Sequence, residues 1–274
     1  MSPDPILVMV LAAAAATLGT LGGLGGAVLL VPVLVATGTD PLVAAPIGLV
    51  TVGAGALAAA PNQLAQGLVH HRLGLTVEIP ASTAALVAAW WSVHAPDTAL
   101  RILLASVVFA ASVAGLTRAP ARNVPQPEFV AEPPAEWPGT LGGTYQSPGG
   151  PVPYRARRLP AGLIAMVGAG AISGLAGVGG GFVKTPVMRE IMWIPIKVAA
   201  ATSTFAVSIT TATALVVFAG QGRIEPGPSV AAGIGGLAGG LVGARLQDQM
   251  SPTGLRRVLS VVLMVVAVVV LVGP

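Results

Sequence analysis

Cysteine is absent from the 274 residues, charged residues make up only 9% of the chain, and aromatics only 4%. Without Cys there is no disulfide scaffold and no thiolate metal site. A soluble domain carries about a quarter charged residues, so this composition excludes one. It is also too apolar for a disordered chain. No Ser/His/Asp order, HExxH or P-loop pattern is present. The chain is therefore read as no enzyme, with no metal and no cofactor. The net charge of +4 does not signal nucleic-acid binding, because the Lys and Arg are scattered at the ends of apolar runs.

Hydrophobic residues, in contrast, make up 54%, and the mean hydropathy is +0.84. Runs free of charge cover 5–37, 41–71, 79–96, 102–117, 159–183, 198–222, 226–244 and 258–274. A bilayer-spanning helix needs about 20 mostly apolar residues. No alternation of period two marks a β-barrel. The expectation is an all-α polytopic membrane protein with the lipid bilayer as its solvent. The 36 Gly and 24 Pro predict interrupted, closely packed helices. The first run is not read as a signal peptide. Asp4 precedes it, no Lys or Arg does, and it continues past any cleavage site.

Residues 118–160 differ in kind. They hold ten of the Pro, with Glu128, Glu132, Glu136 and Arg118, Arg122, Arg155, Arg157 and Arg158. This reads as a polar linker between a first transmembrane repeat, 1–117, and a second, 161–274.

Displacing the sequence by 154 residues lays Leu24-Gly25-Gly26 through Pro32 on Val178-Gly179-Gly180 through Pro186, Pro41 on Pro195, and Ala45 on Ala199. One more residue brings Gly67 to Gly222 and Arg101 to Arg256. The spaced Gly, Pro and Arg coincidences indicate duplication. The run 5–37 would make a helix about 50 Å long, too long for one upright crossing. Gly22-Gly23-Leu24-Gly25-Gly26 breaks it, either as a tilted helix or as a hairpin. Positive charge decides. If both 5–37 and 159–189 double back, eleven Lys/Arg gather on the linker side, only Arg101 and Arg223 face the other, and Lys184 lies within the membrane. The linker is then cytoplasmic, and the halves are inverted repeats. Each holds a Gly-broken helical hairpin plus about three transmembrane helices.

A Gly-rich hairpin tip leaves backbone N–H groups uncovered. Helix N-termini there would carry about half a positive charge, and two meeting near the midplane would hold an anion. The other reading is that these Gly residues only permit close packing. Lys184 has Leu30 as its counterpart and either balances an anion or snorkels to the cytoplasmic face. Thr202, Ser203 and Thr204 open a hydroxyl-rich run that donates to an oxyanion or bonds its own backbone. Asn62, Gln63 and Gln66 line the same path or sit near its cytoplasmic end. His70-His71-Arg72 reads as a solvated loop, and Glu78 as an interfacial charge, with proton coupling the alternative. Trp90, Trp91 and His94 read as an aromatic belt.

These motifs carry a resemblance. Leu24-Gly25-Gly26 through Pro32, the stronger Gly177-Val178-Gly179-Gly180-Gly181-Phe182 through Pro186, and Ala200-Ala201-Thr202-Ser203 resemble the duplicated signature of the TauE/SafE sulfite exporter family. The resemblance implies a prokaryotic inner-membrane carrier of small sulfur-containing anions, such as sulfite or sulfonates, with about eight hydrophobic segments and no cofactor. It places the binding site at Gly25, Gly26, Gly179, Gly180, Gly181, Thr202 and Ser203, to which the intramembrane position adds Lys184. The first half departs from the pattern, with Ala27 opposite Gly181 and Gly48-Leu49 opposite Thr202-Ser203.

The expected function is a secondary transporter of a small sulfur-containing anion, by alternating access. Without a carboxylate deep in any run, export down the inside-negative potential is favoured, at about 2.3 kcal/mol per charge per 100 mV. An anion channel and a non-transporting membrane scaffold are the alternatives. The oligomeric state stays open, a homodimer included.

Overall fold

The computed structural model describes residues 3–22, 25–117, 141–147, 150–247, 261, 263–265 and 267–269. Gly23 and Leu24, the stretch from Arg118 to Glu136, and Arg256 with Arg257 lie outside the described residues.

Among the described residues the chain is all-α apart from one β-hairpin. The first half runs α1 (Pro5–Gly22), α2 (Ala27–Ala36), α3 (Pro41–Ala65), α4 (His71–Trp91) and α5 (Asp97–Thr117). The second runs α6 (Leu159–Ala176), α7 (Gly181–Pro186), α8 (Ile196–Gly220) and α9 (Pro226–Gln247), with helical residues again within 261–269. Among the described residues, five helices are long and apolar enough to cross a membrane: α3, α4 with the turn after it, α6, α8 and α9. Outward faces carry bare apolar side chains, such as Ile164 at 75% and Val216 at 72% exposure. Such a surface is stable against lipid and not against water.

Local chemistry sets the helix starts. Asp40 accepts the Leu42 N–H at 2.7 Å and Pro41 follows it, which fixes the start of α3. Asp4 accepts from Ile6 at 2.7 Å ahead of α1. Pro186 ends regular α7, and the chain continues as a π-helical turn, Val187–Ile191.

Glycine decides how the helices pack. Methyl groups placed on Gly235, Gly239 and Gly243 of α9 would fall 2.3, 2.2 and 2.8 Å from the carbonyl oxygens of Met9, Ala13 and Thr17. α9 and α1 therefore lie in backbone contact and run the same way. α6 and α4 do likewise, with Gly170 and Gly174 set against Ala81 and Ala85. α3 also runs with α9, Gly236 meeting Thr51 and Gly240 meeting Gly55. α4 runs with α8, as His70 meets Thr202 and Trp90 meets Gln221. α3 and α8 run oppositely: Arg223 after α8 bonds Leu42 O at the start of α3, and Thr211 faces Gly53 further in.

The linker is not featureless. β1 (Gly142–Ser147) and β2 (Gly150–Arg155) pair antiparallel, with Gly142 opposite Arg155. Buried Tyr145 and Tyr154 pack this ribbon onto Leu73, Met188, Met192 and Val198. Burial pushes the Tyr154 phenol up to about 12.

Candidate functional site

Both chain reversals are hairpins. α2 folds back on α1 so closely that a methyl group on Gly19 would lie 2.4 Å from Gly26 N, and one on Gly26 would lie 2.7 Å from Ala16 Cα. α2 has 10 residues, about 15 Å, so it returns across only half of a core about 30 Å thick. α7 folds back on α6, with Gly180 against Ala169 O. Gly25, Gly179 and Gly180 have φ of 80, 78 and 66°, the left-handed region that a side chain resists. The two turns meet on one side chain. Methyl groups on Gly25 and Gly179 would touch Val52, midway along α3, at 3.8 and 3.0 Å.

Beside this meeting point lies a cavity of about 50 Å³, room for about four waters. Gly25 and Gly26 line it from the first half, and Gly181 and Ser203 from the second. Within α2 the first bonds are Val28 N–H to Gly25 O and Leu30 N–H to Gly26 O, and within α7 Val183 and Lys184 N–H to Gly180 O. The N–H groups just ahead of these have no intrahelical acceptor. Thr51 and Thr204 also line the cavity, but their hydroxyls donate to Ile47 O and Ala200 O, both at 3.0 Å. Among the described residues the side chains of Ser203, Thr20 and Gln63 make no hydrogen bond, so all three are donors available there.

The cavity reaches along α3 to Gln63 and along α8 to Ala200, the end of the bundle that carries His70 and the β-ribbon. Towards the other end it is closed. A methyl group on Gly48 would fall 2.2 Å from Val31 and 2.8 Å from Gly177 O, and one on Gly177 would fall 2.3 Å from Ala45 Cα.

The remaining expected residues stand outside the cavity lining. Gly179 abuts it through Val52, and Gly180 faces Ala169 and Ser173. Thr202 is fully buried and accepts the His70 N–H at 3.0 Å. His70 is a junction and no solvated loop residue. Its Nδ1 accepts from Leu73 N and caps α4, and its Nε2 lies 3.1 Å from Gly142 O of the ribbon. Burial lowers its pKa from 6.5, partly offset by the Gly142 bond. Asn62 and Gln66 bond each other on the exposed surface. Trp90 and Trp91 are exposed beside His94, as a belt requires.

Lys184 does not snorkel. It is 0% exposed, and its Nζ donates to Glu78 Oε2 at 2.6 Å and to Thr210 Oγ1. Thr210 and Ser82 both donate to Glu78 Oε1, the latter at 2.5 Å. Glu78 is 2% exposed, which corrects both its reading as an interfacial charge and the reading that no carboxylate lies deep. The charge-free run begins at Ile79, which made Glu78 look peripheral. α4, however, begins at His71, so Glu78 lies two turns inside it. The signal was available: the His70 cap, followed by apolar residues at helical spacing.

Apolar outward faces, half-crossing hairpins and a small cavity between them belong to multi-pass membrane proteins of the transporter class. The chain belongs to the sulfite exporter TauE/SafE family, whose sequence model matches residues 8–270. This is a family of sulfur-anion membrane transporters and not of enzymes. Among curated proteins and among solved structures, no match is found.

Proposed function

We propose that the protein is a secondary transporter, running as an exporter, for a small sulfur-containing anion such as sulfite or an organosulfonate. One observation carries the reading: a cavity of about 50 Å³ at the meeting of two glycine turns, lined by Gly25 and Gly26 from one half and Gly181 and Ser203 from the other. Backbone N–H groups without an intrahelical acceptor, together with the free hydroxyls of Ser203 and Thr20, suit an oxyanion that must also leave. Gly179 and Gly180 shape the second turn, Thr202 ties α8 to His70, and Lys184 supplies the buried positive charge.

We read the halves as inverted repeats. In support, α1 and α3 run with α9, α6 and α8 belong with α4, and α3 runs against α8, so corresponding helices of the halves point oppositely. Alternating access follows from that arrangement. Closure at Gly48 and Gly177 favours a carrier over an open channel. The membrane is a prokaryotic inner membrane, with the linker in the cytoplasm because Lys and Arg gather on that side.

Reconstituted protein should carry sulfite or a sulfonate across liposome membranes, saturably and with stimulation by the same anion on the far side. Folded protein that moves no small anion at all would end this reading.

A further inference from the structure

The Glu78–Lys184 pair lies one helical turn from the cavity. Gly181 lines the cavity, and Lys184 follows it by one turn of α7. Ser203 and Val207 line it on α8, and Thr210 continues the same face. The pair is nevertheless sealed, with both side chains at most 3% exposed.

Its place in the repeat is informative. Ala16, Gly19, Gly25, Gly26 and Ala56 line the cavity. Their counterparts at the 154-residue displacement are Gly170, Ser173, Gly179, Gly180 and Thr210, all buried. Of these, Thr210 bonds both members of the ion pair, where the first half has Ala56 at the cavity wall. Ser173, 0% exposed beside Gly180, keeps a hydroxyl with no hydrogen-bond partner. The first half has Leu30 and Ala56 in place of Lys184 and Thr210, so the architecture does not require charge there. A buried ion pair is a weak stabiliser relative to apolar packing, and ionisable groups within a membrane mark function.

Among the described residues no other charge faces the pair. α6 carries none, and α8 has only exposed Lys197 at its start. On α4, His71 and Arg72 lie at the beginning, and on the π-helical turn Arg189 pairs with Glu190 at 3.3 Å.

We propose, resting on the carrier reading, that this pair is the coupling site: the transported anion replaces the Glu78 carboxylate as the partner of Lys184, and Glu78 takes up one proton. The balance is simple. A carboxylate and an ammonium become a carboxylic acid and an ammonium paired with the anion. The proton and the anion arrive from the same aqueous side, and no bond of Lys184 changes. The site stays neutral, so neither charge is left bare in the interior. A monovalent anion then crosses without net charge. Export is driven by the anion's own accumulation and works against a proton gradient that is acid outside, and the membrane potential drops out.

Wild-type proteoliposomes decide the matter, with methanesulfonate as the probe because its charge does not titrate near neutral pH. A pH gradient, acid outside, should drive accumulation and carry protons inward, read by an entrapped pH dye. A potential set with valinomycin and potassium should leave the flux unchanged. Glu78→Gln should lose the response to the pH gradient, whatever its rate. Flux that follows the potential and ignores the pH gradient overturns the coupling while leaving the carrier reading intact, as does a Glu78→Gln protein that still responds to the gradient. Should wild-type protein move neither methanesulfonate nor sulfite, both readings fall.

Discussion

Lys184 Nζ lies 2.6 Å from Glu78 Oε2 in the interior of the bundle and joins α7 to α4. Thr210 completes the contact from α8 by bonding both groups. Removing one partner strands the other without water. Lys184→Met and Glu78→Leu should each lower stability by about 3–5 kcal/mol, and the double variant should recover most of that loss. Thermal unfolding in detergent reads this. Additive losses in the double variant would show that the two residues do not depend on each other.

Ser203 and Thr204 are neighbours with different fates. Ser203 faces the cavity with a free hydroxyl, whereas Thr204 donates to its own helix. Ser203→Ala should weaken anion binding by about 10–100-fold, the worth of one hydrogen bond to a charged group. Thr204→Ala should change it little. A binding titration comparing the two variants tests the assignment of the donor.

The glycine turns separate strain from clash. At Gly25 an added methyl group meets only Val52 at 3.8 Å, so Gly25→Ala pays only for its left-handed backbone, about 1–2 kcal/mol. At Gly26 the methyl group would lie 2.7 Å from the α1 backbone, so Gly26→Ala must part the hairpin. The expected order is folded protein with weakened binding for the first and poor folding for the second. Size-exclusion profiles together with binding assays distinguish them.

His70 gives the ribbon a pH dependence. Its pKa is lowered in the folded protein, so the unfolded chain holds more protons below pH 6.5. The stabilisation is complete above 6.5 and declines as the pH falls towards the lower folded value. Protonation of Nδ1 also removes the acceptor for Leu73 N. Protease sensitivity of the ribbon should rise between pH 7.5 and 5.5, and His70→Gln should flatten that response. An unchanged profile in the variant would locate the effect elsewhere.

Composition alone made the membrane class legible, because 9% charge cannot cover a soluble surface. The hairpins were legible from the Gly-rich breaks. Gly25, Gly26, Gly181 and Ser203, singled out in the sequence from different runs, line one cavity in the structure. The partners of Lys184 and Thr202 were not legible, because Glu78 and His70 lie more than 100 positions away in the chain. Such contacts depend on which helices pack together, and periodicity within one run is blind to that. The β-ribbon was hidden for another reason: its Gly and Pro content reads as a tether, and its two buried tyrosines and the His70 contact with Gly142 O hold it to the bundle.

Val52 offers a last consequence. A single isopropyl group is the common bearing surface for reversals that belong to different halves of the molecule. In the proposed carrier, neither reversal can move towards Val52 without pressing on the side chain that backs the other, so loosening at one end tightens the other. A leak through both at once is thereby made mechanically awkward, by one branched aliphatic residue and no gatekeeping charge.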